Sequence, residues 1–154
     1  MAVKLYLSVE GVLLRQVDRI ERKARGFEAM PYGLEFLSWA VSRFNCYWLT
    51  RLDRSGGNNR IRRAFRIALN EWQLPGDLEI LFEAVIPTVW ENAKIEGIDL
   101  DSEFFWIESD PDPECLTFFR RRGLENRLLI YKQPHDLWKF ACQLGPVGEK
   151  AEMW

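Results

Sequence analysis

Apolar and polar positions alternate along this chain between two kinds of run. Residues 3–9 (VKLYLSV) are short and mostly apolar, as a buried strand should be. Residues 45–50 (NCYWLT), 103–107 (EFFWI) and 127–132 (RLLIYK) repeat that pattern. Between them the apolar positions take helical spacing. After Pro31, which suits a first helical position, Phe36, Leu37, Ala40, Val41 and Phe44 fall on one face. A second helix places Ile61, Ala64, Phe65, Ala68, Leu69 and Trp72 on one side and Arg60, Arg63 and Arg66 along another. A last helix, opened by Pro134, turns Leu137, Trp138, Ala141 and Leu144 inward. The stretch 78–86 fits strand or helix equally well. Residues 15–29 are charged and read as an exposed loop with some helix.

Polar and breaker residues punctuate these runs. Residues 53–59 (DRSGGNN) form a loop, and 74–77 (LPGD) end the second helix. In the acidic turn 108–113, Asp110-Pro111 is the expected cap and first turn of a helix running to about Arg122 and stopped by Gly123. Strands alternating with helices, and strands that are continuous apolar runs, predict an α/β fold. The expected form is a three-layer Rossmann-like sandwich with a mostly parallel central sheet. Residues 1–144 are expected to form one domain and 145–154 a tail. In such sheets the site lies beyond the C-terminal strand ends. These are Ser8-Val9-Glu10, Thr50-Arg51, Glu108-Ser109-Asp110 and Lys132-Gln133.

Composition narrows the picture. A chain of 154 residues, 47% apolar and 29% charged, builds its own core, and seven Trp and ten Phe make that core aromatic. No run of 18 apolar residues is present, and the start lacks a basic segment followed by an apolar one. Three widely spaced cysteines fit reduced thiols, so a cytoplasmic location is expected. A single histidine, His135, excludes a multi-histidine metal site. Charge is segregated. Residues 15–66 carry twelve Lys and Arg against five Asp and Glu, whereas residues 67–117 carry one cation, Lys94, against thirteen acids. Such blocks imply either an oriented surface field that favours an anionic partner or two regions that neutralise each other.

The strand ends carry a resemblance. KLYLSVEGVLL ends the first strand, CYWLT the second with Thr50, WENAKIEGIDL supplies Lys94, and FFWIESDPDPE ends a later strand. In this order they resemble the motifs of the haloacid dehalogenase-like superfamily of phosphotransferases, over residues 4–144. The resemblance implies a nucleophile position at Ser8 and a general-acid position at Glu10. It implies phosphate binding by Thr50 and Lys94, and a Mg²⁺-holding acidic pair at Glu108 and Ser109, where two aspartates are usual. Phosphoryl transfer needs in-line positioning and compensation of charge on the equatorial oxygens. A serine at the nucleophile position needs a base and gives a stable ester. Glutamate for aspartate shifts a carboxylate by a methylene, which the octahedral geometry of Mg²⁺ does not forgive.

The resemblance therefore implies a capless phosphatase homologue, impaired or inactive, that serves as a phosphate-binding, anion-binding or regulatory module with no cofactor. One alternative is an active Mg²⁺-dependent phosphohydrolase with a rearranged site on Glu10, Glu108 and Asp110. Another is a scaffold that binds protein or nucleic acid, the latter through Arg51, Arg54, Arg60, Arg62, Arg63 and Arg66. Simpler readings stand beside each residue. Thr50 caps a turn, Lys94 pairs with Glu91 or Glu96, Asp110 caps a helix, and His135 packs or faces solvent. The expected partner is a phosphorylated ligand or macromolecule.

Overall fold

Side chains on a strand point alternately to opposite faces, and the first strand uses both. β1 (Lys4–Leu7) sends Leu5 and Leu7 to one apolar cluster and Tyr6 to another. Its neighbours follow in register. Leu5 lies between Cys46 and Phe105, Tyr6 between Tyr47 and Trp106, and Leu7 between Trp48 and Ile107. The partners belong to β4 (Asn45–Trp48) and β6 (Phe104–Glu108), both parallel to β1. β5 (Ile86–Pro87) and β7 (Leu128–Ile130) complete a five-stranded parallel sheet of order β5-β4-β1-β6-β7. The computed structural model describes residues 3–19 and 24–145; the expected tail beyond Gly145 lies outside the described residues.

Helices cover both faces, so the molecule is α/β with a flanked parallel sheet, consistent with a Rossmann-like fold. α1 (Gly33–Arg43), α2 (Asn59–Leu69), α3 (Gly76–Ala84) and α5 (Asp136–Leu144) bury their apolar sides against Leu5, Leu7, Trp48 and Ile107. Trp48, Phe65 and Phe82 meet at ring separations of 5.1–6.4 Å, and each such buried ring contributes roughly 1.5–3 kcal/mol. The second face holds Tyr6, Phe104, Trp106 and, from α4 (Pro113–Arg121), Phe119. Among the described residues no helix is long and apolar enough to cross a membrane.

Several expectations needed correction. The described residues of the charged stretch 15–29, 15–19 and 24–29, are strand and not loop and helix. Leu14–Arg19 (β2) and Ala24–Ala29 (β3) pair as an antiparallel two-stranded sheet, with Gln16 opposite Phe27. A hairpin alone is marginal in water; this one lies against α2 and packs Phe27 on the core. The ambiguous stretch 78–86 divides: residues 76–84 are helix, Val85 is extended and Ile86 opens β5. α2 ends at Leu69 because Asn70 turns left-handed, so Trp72 lies outside the helix and is 93% exposed. Trp138 is also out, 52% exposed and edge-on to Tyr32, while Phe140 takes the inward position. Finally, α4 begins one dipeptide late. Asp112-Pro113, not Asp110-Pro111, forms its start, and the Asp112 carbonyl accepts the N–H groups of Cys115 and Leu116. Gly123, with φ +68°, ends it as expected.

Candidate functional site at the strand ends

The even face of β1 runs Tyr6, Ser8, Glu10, so its polar end continues the second aromatic cluster. β6 does the same with Trp106 and Glu108. Between β5 and β6 the chain makes a 3-10 turn, Lys94–Gly97, beneath the same strand ends. That turn is held from behind. The Glu96 carboxylate accepts the N–H groups of Asn92 (3.1 Å) and Ala93 (2.7 Å). Glu96 is therefore engaged with backbone and does not pair with Lys94, contrary to the simpler reading.

Lys94 instead points inward. Its ammonium donates to Glu108 Oε1 at 2.6 Å, Glu10 Oε1 at 2.9 Å and Ser8 Oγ at 3.3 Å. An ammonium has three protons, and all three are placed. Lys94 and Glu108 are each 3% exposed. The second Glu108 oxygen accepts the Ser109 N–H at 2.9 Å. A buried charge set of this kind is tolerated only because each member is paired and hydrogen-bonded.

Glu10 closes the cluster on the solvent side. Its Oε1 also accepts the Arg51 N–H at 3.1 Å, and its Oε2 accepts the Thr50 hydroxyl. Burial works against the ionised form of Glu10. The Lys94 charge and the hydrogen bonds from Thr50 and Lys94 outweigh it, and the carboxyl lies below its usual range. Thr50 does two jobs at once, because its oxygen also accepts the Leu52 N–H at 3.1 Å and so caps the following turn.

Ser8 is fully buried. Its hydroxyl donates to the Leu49 carbonyl at 3.2 Å and accepts from Lys94 and from Trp106 Nε1 at 3.4 Å. A hydroxyl has one proton and two acceptor sites, so this one is saturated. None of its bonds goes to Glu10 or His135. His135 lies elsewhere, stacked over Tyr32 with ring centroids 6.3 Å apart.

The tight turn after β1 depends on glycine. The N–H groups of Val12, Leu13 and Leu14 converge on the Val9 carbonyl, and Gly11 takes φ +81°. A Cβ on Gly11 would stand 2.2 Å from Ser109 Oγ. The ends of β1 and β6 thus touch through a glycine, and Ser109 serves as its neighbour.

The structure therefore gathers Ser8, Glu10, Thr50, Lys94 and Glu108 in one cluster. It leaves out Asp110, which is exposed on the loop beyond Ser109. Among the described residues no group of three or more His, Cys, Asp or Glu is placed to hold a metal ion. Two participants escaped sequence reasoning, the indole of Trp106 and the backbone N–H of Arg51. Only the face-alternation of β6 hinted at the first.

No family model matches the chain, and no curated protein sequence matches it.

What the arrangement can do follows from its donors. The Thr50 hydroxyl, the Arg51 N–H and the Lys94 ammonium form a cradle for an oxyanion. That cradle already holds one, the carboxylate of Glu10.

Proposed function

We propose that this chain is a cytosolic, capless haloacid dehalogenase-like domain that has lost aspartyl-phosphate chemistry and acts as an anion-binding or regulatory module. One observation carries the reading. The donors that the resemblance assigns to phosphate, Thr50 and Lys94, are bonded to Glu10 of the same chain. The residue at the nucleophile position, Ser8, is buried with its hydroxyl saturated. A nucleophile needs a free lone pair, a base and an approach path, and Ser8 has none of these among the described contacts. The order of the parallel strands, with β1 between β4 and β6, agrees with the reading. So do the free thiols of Cys115 and Cys142, which suit a reducing compartment.

Hydrolysis of p-nitrophenyl phosphate with Mg²⁺ tests the loss of chemistry. The expected result is no turnover above background for the wild type and for Ser8→Ala alike. Mg²⁺-dependent turnover at an ordinary enzymatic rate, abolished by Ser8→Ala, would overturn the proposal. The double variant Ser8→Asp with Glu10→Asp then asks how local the loss is. Activity in that variant means the rest of the site is intact, and none means the surrounding pocket has drifted as well.

A further inference from the structure

We propose that a groove between the β2–β3 hairpin and α2, extending past the end of α2 to Trp72, binds single-stranded nucleic acid. This adds a ligand class to the anion-binding reading, at a surface outside the strand-end cluster. A cleft of about 710 Å³ opens between Gln16 and Phe27 of the hairpin and Arg60 and Arg63 of α2, with Arg51 also in its wall. A second depression, about 380 Å³, continues from it, sharing Arg63 and Ile67 as wall and reaching Arg66 and Trp72. The two form one path along the helix.

Charge along that path is unbalanced. Arg62 turns away and pairs with Glu79 on α3, and Arg51 reaches Asp112 at 3.3 Å. Arg60 and Arg63 are exposed and make no hydrogen bond or ion pair among the described residues. Arg66 donates to the Trp72 carbonyl at 3.2 Å and makes no ion pair among the described residues. Among the described residues the acids on the path are Glu10, whose charge is held by Lys94, and Glu71. Arg60 and Arg63, part of the segregated positive block of the sequence, are thus not neutralised by the negative one and line a groove.

The spacing chooses among anionic partners. Arg60, Arg63 and Arg66 stand three residues apart, so they step along α2 by about 4.5 Å each. A site for one phosphate converges its arginines on a point; a row tracks a polymer backbone. Aromatic rings flank the row, Phe27 inside the cleft and Trp72 turned out to solvent beyond its end. A basic groove with aromatic platforms is how single strands are held without base-specific contacts, because every base has a π-face. An acidic peptide uses the same charges but not the rings.

Fluorescence anisotropy tests this with labelled oligo(U) and oligo(dT) of about ten nucleotides, long enough to fill one such site, and with a poly-glutamate peptide of equal charge. The expected result is salt-dependent oligonucleotide binding to the full chain. Arg60→Gln with Arg63→Gln should reduce the slope of log affinity against log salt by about 1.4, as two lost single-strand phosphate contacts require. Trp72→Ala should weaken binding about tenfold and leave the slope unchanged. All three residues are exposed, so circular dichroism should show folded variants. The absence of oligonucleotide binding at low salt would overturn the proposal. So would equal competition by poly-glutamate, or full affinity in Trp72→Ala. Phosphatase turnover would instead overturn the reading of the catalytic positions and leave this one standing.

Discussion

Lys94 Nζ lies 2.6 Å from Glu108 Oε1, and both side chains are buried. Their pairing is the deepest ionic contact described in the molecule. Because a buried pair is stabilised by the partner more than by its surroundings, removing one member exposes the cost of the other.

Lys94→Met leaves the Glu108 carboxylate buried against a methyl group. The expected loss is about 3–5 kcal/mol in urea denaturation. Adding Glu108→Gln should restore part of it, since only Glu10, which keeps the Thr50 hydroxyl, the Arg51 N–H and contact with solvent, then lacks its cation. A single variant within about 0.5 kcal/mol of wild type would show that water replaces the ammonium freely.

Glu10 makes stability depend on acid. Its carboxyl is depressed in the folded state below the ordinary value of 4.5. Ionisation therefore stabilises the fold fully above about pH 4.5, and that contribution disappears as pH falls through the folded value. Glu10→Gln removes the titration. The stability difference between wild type and Glu10→Gln should be constant at neutral pH and shrink only below about 4.5. A difference that changes between pH 6 and 8 would assign the titration to another group.

The same residue blocks a cradle. Glu10→Ala should free the Thr50 hydroxyl, the Arg51 N–H and Lys94 to take inorganic phosphate. Thermal unfolding should rise with phosphate in this variant, by the logarithmic law of ligand linkage. Wild type, compared at matched ionic strength with chloride, should not respond. Equal shifts in both proteins would place phosphate elsewhere.

Gly11→Ala meets two obstacles, a left-handed backbone and the Ser109 hydroxyl at 2.2 Å from the new Cβ. A loss of about 2 kcal/mol or more is expected. Ser109→Gly in the same chain should relieve the contact but not the backbone strain, so recovery should be partial. Complete recovery would show that the backbone alone tolerates alanine.

Among the described residues the buried Tyr131 hydroxyl has no hydrogen-bond partner, and burial pushes its pKa up. Tyr131→Phe should leave stability unchanged or raise it by up to about 1 kcal/mol. A loss larger than that would reveal a partner such as an ordered water.

Much of the strand-end cluster was legible because it rests on two simple rules. Short continuous apolar runs marked β1, β4, β6 and β7, and parallel sheets collect polar residues at their C-terminal ends. Ser8, Glu10, Thr50 and Glu108 meet accordingly; Lys94, on the turn between β5 and β6, is marked by the resemblance and not by these rules. Asp110 does not join them, because one more step along the loop carries it out to solvent. The hairpin was hidden by its charges. Arg15 and Glu28 sit opposite each other and pair across the strands, so polarity that read as loop is cross-strand pairing. Trp72 and Trp138 were misplaced for another reason. Helical spacing says which residues share a side, but Asn70 ends α2 before Trp72, and Phe140 fills the space that Trp138 was expected to take. The Trp106 contact with Ser8 needs the sheet register, which no single segment carries.

The central place of β1 has a consequence for motion. Its backbone groups and those just beyond it bond to strands on both sides, the Ser8 N–H donating to the Ile107 carbonyl and the Leu7 carbonyl accepting the Leu49 N–H. Such a strand opens only with the whole domain, so its amides should be among the slowest to exchange with deuterated solvent. Ser8 rides on that strand, whereas Lys94 arrives on a short turn and Glu10 just precedes a glycine. Any rearrangement that admits a ligand to the cluster has to come from those two segments while Ser8 stays in place.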